Sequence, residues 1–229
     1  MIRFDIRLTL VLPLLLLGCL PPVTMRAKES PGVRPLRSGM ASALATLPSH
    51  THLLFDQTSI EQFLVALDGS APDWTAIYGK GHQDPGHDER LFALNRERDA
   101  RREGKEPLQW SIAFVWFGEL SRFDEQEGGF RVALGPKFTQ TTWGDVRFKP
   151  EDVPSTLIAS TGHETADLRA RLQQGRPVQV SVVMIGRLIP EESLIYDFSH
   201  DTEGRGLIMP VVVVEAVEFV LESAQELQP

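Results

Sequence analysis

The sequence holds a single cysteine in 229 residues, so no disulfide can close within the chain. Structural zinc sites assembled from several Cys and His ligands are disfavoured for the same reason. Excess positive charge is missing too: 23 Lys and Arg face 31 Asp and Glu, a formal net charge of −8. Nucleic-acid affinity rests largely on neutralising phosphates, so this balance argues against a DNA or RNA partner. No segment approaches the roughly 20 consecutive apolar residues of a transmembrane helix. Neither a phosphate-binding P-loop nor a Gly-x-Ser-x-Gly elbow occurs, and Gly79-Lys80-Gly81 lacks the third glycine of a dinucleotide fingerprint. His163-Glu164 opens like a zinc-protease motif, but Asp167 stands where the second histidine is needed. Ser199-His200-Asp201 is contiguous, whereas a catalytic triad takes facing side chains from separate elements. A catalytic set is therefore not expected, and no cofactor either.

What is present begins at the amino terminus. Arg3 and Arg7 precede Leu8 to Leu17, an uncharged and almost wholly apolar run. As a helix it would be only about 15 Å long, half of a bilayer core, which suits a signal-peptide h-region. Leu16-Leu17-Gly18-Cys19 follows. It resembles the lipobox of bacterial lipoproteins, in which a small residue precedes a cysteine that is lipidated before cleavage. That resemblance implies residues 1–18 as a signal peptide and Cys19 as the lipidated (palmitate-bearing) residue. It also implies anchorage in the cell envelope, with Leu20 fitting the outer membrane facing the periplasm. Alternatives are an ordinary signal peptide, or a start at Met25 or Met40 that leaves a cytoplasmic protein. Cleavage would remove two cations and one anion, moving the charge from −8 to −9. Residues 19–49, rich in Pro with Ser, Gly and Thr, read as a flexible tether.

Residues 50–107 read as a small helical segment. Ser59-x-x-Gln62 has the form of a capping box, with Ile60, Phe63, Leu64 and Leu67 on one face and Gly69 as a stop. Trp74, Ile77 and Tyr78 share one side of a short turn. Asp88 to Glu103 reads as a helix whose second half is dense in charge, a pattern expected of a solvated face with local ion pairs, Arg98, Arg101 and Arg102 included. From Leu108 the pattern changes to strands: Gln109 to Ser121 with a bend at Gly118, a second at Phe130 to Leu134, and a third at Asp145 to Lys149. A helix at His163 to Gln174 comes next, then strands at Pro177 to Leu188 and Val211 to Leu221, with a minor one at Leu194 to Phe198.

Five main strands with one helix between the third and fourth resemble the OB-fold in element order, and Gly118 and Gly186 stand where strands of that fold curve. The expected class is therefore α+β. A helical segment would precede a five-stranded OB-like β-barrel over 108–222 and a tail at 223–229, with a β-sandwich or an irregular α+β domain as alternatives.

Two stretches carry candidate chemistry. His82, Asp84 and His87 gather imidazoles and a carboxylate in one loop, a mixture divalent transition metals accept; a wet inter-helix turn has the same composition. Between Gly135 and Pro150, aromatic and basic residues alternate. Trp143 could stack on a sugar while Lys137, Arg147 and Lys149 meet an anionic group, unless the aromatics are core. The expectation is a non-enzymatic envelope lipoprotein that binds a protein or glycan partner through its barrel face, the alternative being a metal-dependent envelope enzyme.

Overall fold

The structure is a computed structural model describing residues 34–81, 84–161, 165–199 and 204–221. In chain order it contains β1 (Arg34–Ser38), α1 (Met40–Leu44), β2 (His52–Leu53), α2 (Gln57–Asp68), α3 (Trp74–Tyr78), α4 (His87–Arg102), β3 (Ile112–Asp124), β4 (Gly129–Gly135), β5 (Thr139–Thr141) and β6 (Gly144–Val146). These are followed by β7 (Lys149–Glu151), β8 (Thr156–Ser160), α5 (Thr165–Gln173), β9 (Val178–Leu188), β10 (Leu194–Phe198) and β11 (Gly206–Leu221). The class is mixed α/β, dominated by strands.

Six of the strands close into a barrel in the order β1-β8-β4-β3-β9-β11 and back to β1. Pairing is antiparallel from β8 round to β11, while β1 runs parallel to both neighbours, β8 and β11. The ring thus has six strands rather than the expected five. The sixth, Arg34–Ser38, comes from the stretch expected to be a tether, where Pro35 hides its character. A second correction concerns Asp145–Lys149. It is not one strand but parts of β6 and β7, which lie against β11, and the third strand of the expected series is instead Thr156–Ser160. The helix α5 accordingly follows β8. The first residues of β11, absent from the expected Val211–Leu221, pair with β10 and β6 in an annex outside the ring.

Alternation along β3 sorts its side chains. Ile112, Phe114, Trp116 and Leu120 face the main core, and Ala113 and Val115 face a smaller cluster under α1 formed by Ala43, Val183, Ile185 and Val220. A small barrel must be filled by its own side chains, and this interior is packed with Val, Phe, Leu and Met. Gly118 does not mark a bulge, because its pairing with Leu134 and Val180 is regular; the register shift falls between Leu120 and Phe123. Its glycine identity has another cause. A β-carbon there would press on methyl groups of Val182, Val132 and Val180, at 2.7 to 2.8 Å. Gly186 is required by backbone approach, since a β-carbon would run into the Val213 carbonyl oxygen, and it pairs with Val214 at the irregularity in β11.

The amphipathic helix α2 covers one end of the barrel. Its N-cap is Asp56, one turn earlier than the expected box, with Asp56 Oδ1 accepting from the Ser59 amide at 2.9 Å. Ile60, Phe63, Leu64 and Leu67 enter the main core, each worth about 1.5–3 kcal/mol as buried apolar surface. On its outer side Glu61 accepts from the amide and hydroxyl of Thr142 at 2.6 and 2.9 Å, tying α2 to the β5–β6 turn. These bonds hold the Glu61 carboxyl below its ordinary pKa. α2 is thus part of the barrel's own core. At the other end, α5 contributes Leu168 to the core and rests Leu172 against it.

The free edge of β10 is sealed by α4. Asn95 imitates a neighbouring strand: its amide donates to the Tyr196 carbonyl and its oxygen accepts from the Tyr196 amide, both at 2.8 Å. Arg102 donates to the Leu194 carbonyl on the same edge.

Candidate functional site

The charge-dense helix supplies the largest departure from expectation. Arg98 and Arg102 are not on a solvated face; Arg102 is 1% exposed. Its guanidinium holds both oxygens of Asp68 at 2.6 and 2.7 Å and reaches Asp99 at 2.8 Å. Arg98 lies 3.7 Å from the same carboxylate and donates to the Ser70 carbonyl at 2.7 Å, while Lys105 donates to that of Leu67. The carboxy-terminal carbonyls of α2 are thereby capped by cations, as the helix dipole favours. The Tyr196 hydroxyl donates to Asp68, and both guanidiniums lie over its ring at about 5.5 Å. Burial, and then the charge on Asp68, push the Tyr196 phenol well above its ordinary pKa. Burial works against the charge of Arg102, but its bonds to Asp68 outweigh that and raise its pKa. With Asp99 joining from the solvent side, two cations meet two anions. The cluster is a satisfied and dry pin between α2, α4 and β10, not an anion site. Arg101, by contrast, is exposed and ion-paired with Glu97, as the spacing suggested.

Among the metal candidates, His82 lies outside the described residues. Asp84 is fully engaged. Its Oδ1 accepts from the Gly86 amide at 3.0 Å, and its Oδ2 accepts from the Lys80 amide at 3.2 Å and Arg90 at 3.0 Å. These partners, the Gly86 amide first, lower its pKa to about 2. His87 meets the Asp84 carbonyl through Nδ1 at 2.8 Å and Asp88 through Nε2 at 3.3 Å. Among the described residues, no group of three or more His, Cys, Asp or Glu side chains converges to hold an ion.

The aromatic-basic stretch is also rearranged. Trp143 is 4% exposed and part of the main core, so its ring cannot serve as a stacking platform. Its carbonyl accepts from the Trp74 indole. Arg147 contacts Met209 sulfur at 3.2 Å and lies over Phe138, which is the exposed aromatic of this stretch. Lys137 and Lys149 are half-buried. Nearby, Asp145 is ion-paired with Arg205 at 2.9 Å and accepts from Ser199 at 3.3 Å. His200 and Asp201, like His163 and Glu164, lie outside the described residues, as does Cys19.

The surface that sequence reasoning missed is the outer side of β3. Phe117 is 52% exposed in mid-strand. Its cross-strand neighbours are Gly135 on β4 and Ser181 on β9, while the adjacent outward position, Glu119, lies between Ala133 and Gln179. Small residues on both sides leave the Phe117 ring standing proud beside a groove of about 530 Å³. The groove meets, at Glu119, a cleft of about 600 Å³ between the end of β3 and α5. Alternation in the sequence, apolar on both faces of β3, concealed which face meets water.

Comparisons with protein-family models, with curated proteins and with solved structures find no match to this chain.

Proposed function

We propose that the chain is a non-enzymatic binding module of the bacterial cell envelope, tethered to a membrane through lipidated Cys19, that holds a protein or glycan partner on the outer face of its barrel. The observation that carries this reading is Phe117, an aromatic ring exposed in mid-strand among small neighbours, with Glu119 and Gln179 beside it. Desolvating such a ring against a sugar face or an apolar side chain is favourable, and the flanking carboxylate and amide add direction. Strand order supports an OB-like reading of the barrel. Setting β1 aside, β3, β4 and β8 follow one another, β9 flanks β3, and β11 closes toward β8, with α5 preceding β9. On this reading β1 widens the ring between its third and fifth members. Barrels of that kind commonly bind oligosaccharides or oligonucleotides on the face of their second and third strands, here β4 and β8; β4 lines the groove beside Phe117, and the acidic charge favours the former.

A photoreactive residue placed at 117 in cells should give discrete crosslinked adducts, whereas the same residue at exposed Phe92 on α4 should not. Equal labelling from both positions, or none from 117, contradicts the face assignment. The address is tested separately: a palmitate analogue should label the parent and not Cys19→Ala.

A further inference from the structure

The cleft between the end of β3 and α5 carries a charge arrangement that the fold does not need. Its floor is apolar, formed by Leu120, Phe123 and Leu172. Its rim holds Arg122, Arg169 and Arg176 against two carboxylates, Glu119 and Glu125. A local cationic excess stands out in a chain whose net charge is −8.

The three guanidiniums are only lightly committed. Arg122 has no ion-pair partner among the described residues, and Arg176 donates to the neutral Gln174 amide at 3.0 Å. The guanidinium carbon of Arg169 sits over Phe123, 3.8 Å from the ring centroid. Its Nη1 meets Glu125 at 3.0 Å, but that carboxylate is largely exposed, and pairs of this kind are weak. The Nε of Arg169 is buried with no acceptor among the described residues. A volume of about 600 Å³ lies within the usual range for small-molecule sites.

We propose that this cleft binds a dissolved anionic amphiphile, with its hydrocarbon or aromatic body on Leu120, Phe123 and Leu172 and its carboxylate or other acidic head held by Arg122 and Arg169. The site adjoins the Phe117 platform at Glu119 but does not rest on it.

The test uses the fluorescent anion 1-anilinonaphthalene-8-sulfonate and, for comparison, the neutral N-phenyl-1-naphthylamine. The folded chain should take up one equivalent of the anion with rising fluorescence, and free dodecanoate should displace it. Arg122→Ala with Arg169→Ala should weaken the anion by about tenfold or more while changing the neutral probe little, because the charge-assisted contacts to the acidic head are lost and the apolar floor is kept. Arg171→Ala with Arg187→Ala removes the same net charge outside the cleft and should leave binding in place, as should Phe117→Ser. Retention of the far-ultraviolet circular dichroism spectrum shows that the cleft variant is folded. If it is not, Arg122→Ala alone, at an exposed position with no ion-pair partner among the described residues, should still weaken the anion selectively. The proposal is overturned by equal loss of both probes, by unchanged anion affinity in the cleft variant, or by absence of saturable binding in the parent. Displacement by phosphatidylglycerol vesicles but not by free dodecanoate would also overturn it, since that assigns the cleft to a membrane surface.

Discussion

Helices cover both ends of the barrel, and the two closures differ in kind. At the α2 end, four apolar side chains enter the core and a buried carboxylate, Asp68, is gripped by two arginines and a tyrosine that also reach α4 and β10. At the α5 end a single leucine enters, a second leans on the rim, and a cleft remains with arginines around it. The contrast teaches where charge is structural and where it is available. Polar groups sealed in a dry closure must be satisfied by one another, and once satisfied they fix one arrangement. Polar groups around an open cleft keep capacity for something else.

The largest expected effect breaks the locked end. Asp68→Ala leaves Arg98 and Arg102 buried with only the half-exposed Asp99 opposite them and should cost about 3–5 kcal/mol in urea denaturation. A loss under about 1 kcal/mol would mean that water already enters the cluster. Next comes a matched pair of cavities. Leu64→Ala should fall toward the upper part of the roughly 2–5 kcal/mol range for buried leucine, and Leu168→Ala near its lower limit, because the short α5 can settle into the space. Equal losses would erase the distinction between the ends.

A smaller effect concerns the clasp at the start of α4. Asp84 has a folded pKa of about 2 against an ordinary 3.8, so its contribution is complete above 3.8 and disappears as pH falls through about 2. Asp84→Asn should therefore melt below the parent at neutral pH, and the gap should close between those two values. A gap that persists at the acid limit would show that the clasp is steric and not ionic. The smallest effect is on the outer side of the same helix. Glu97→Ala removes only the exposed pair with Arg101 and should change stability by less than about 0.5 kcal/mol.

Much of this frame was legible in sequence wherever its cause was local. The stripe of Ile60, Phe63, Leu64 and Leu67 foretold α2, and alternation from Ile112 marked β3. Val178 to Leu188 read as a strand because β-branched residues fill it. What stayed hidden depends on distant partners. Arg98 and Arg102 sit in a run that reads as solvated, and nothing local reveals that Asp68 waits thirty and thirty-four positions upstream in a buried place. β1 is a strand because β8 and β11 leave room for it, not because Pro35 favours one. Whether Trp143 is core or platform depends on packing partners that the sequence does not show, and the exposed aromatic of the β3 face, Phe117, is indistinguishable from core until the two sides of that strand are told apart.

Native-state hydrogen exchange compares the two closures most directly. The account predicts that amides of α2 and of Tyr196 exchange only through global unfolding, while those of α5 from Leu168 to Gln173 exchange through a smaller, separate opening. Protection of α5 equal to that of α2 would contradict it.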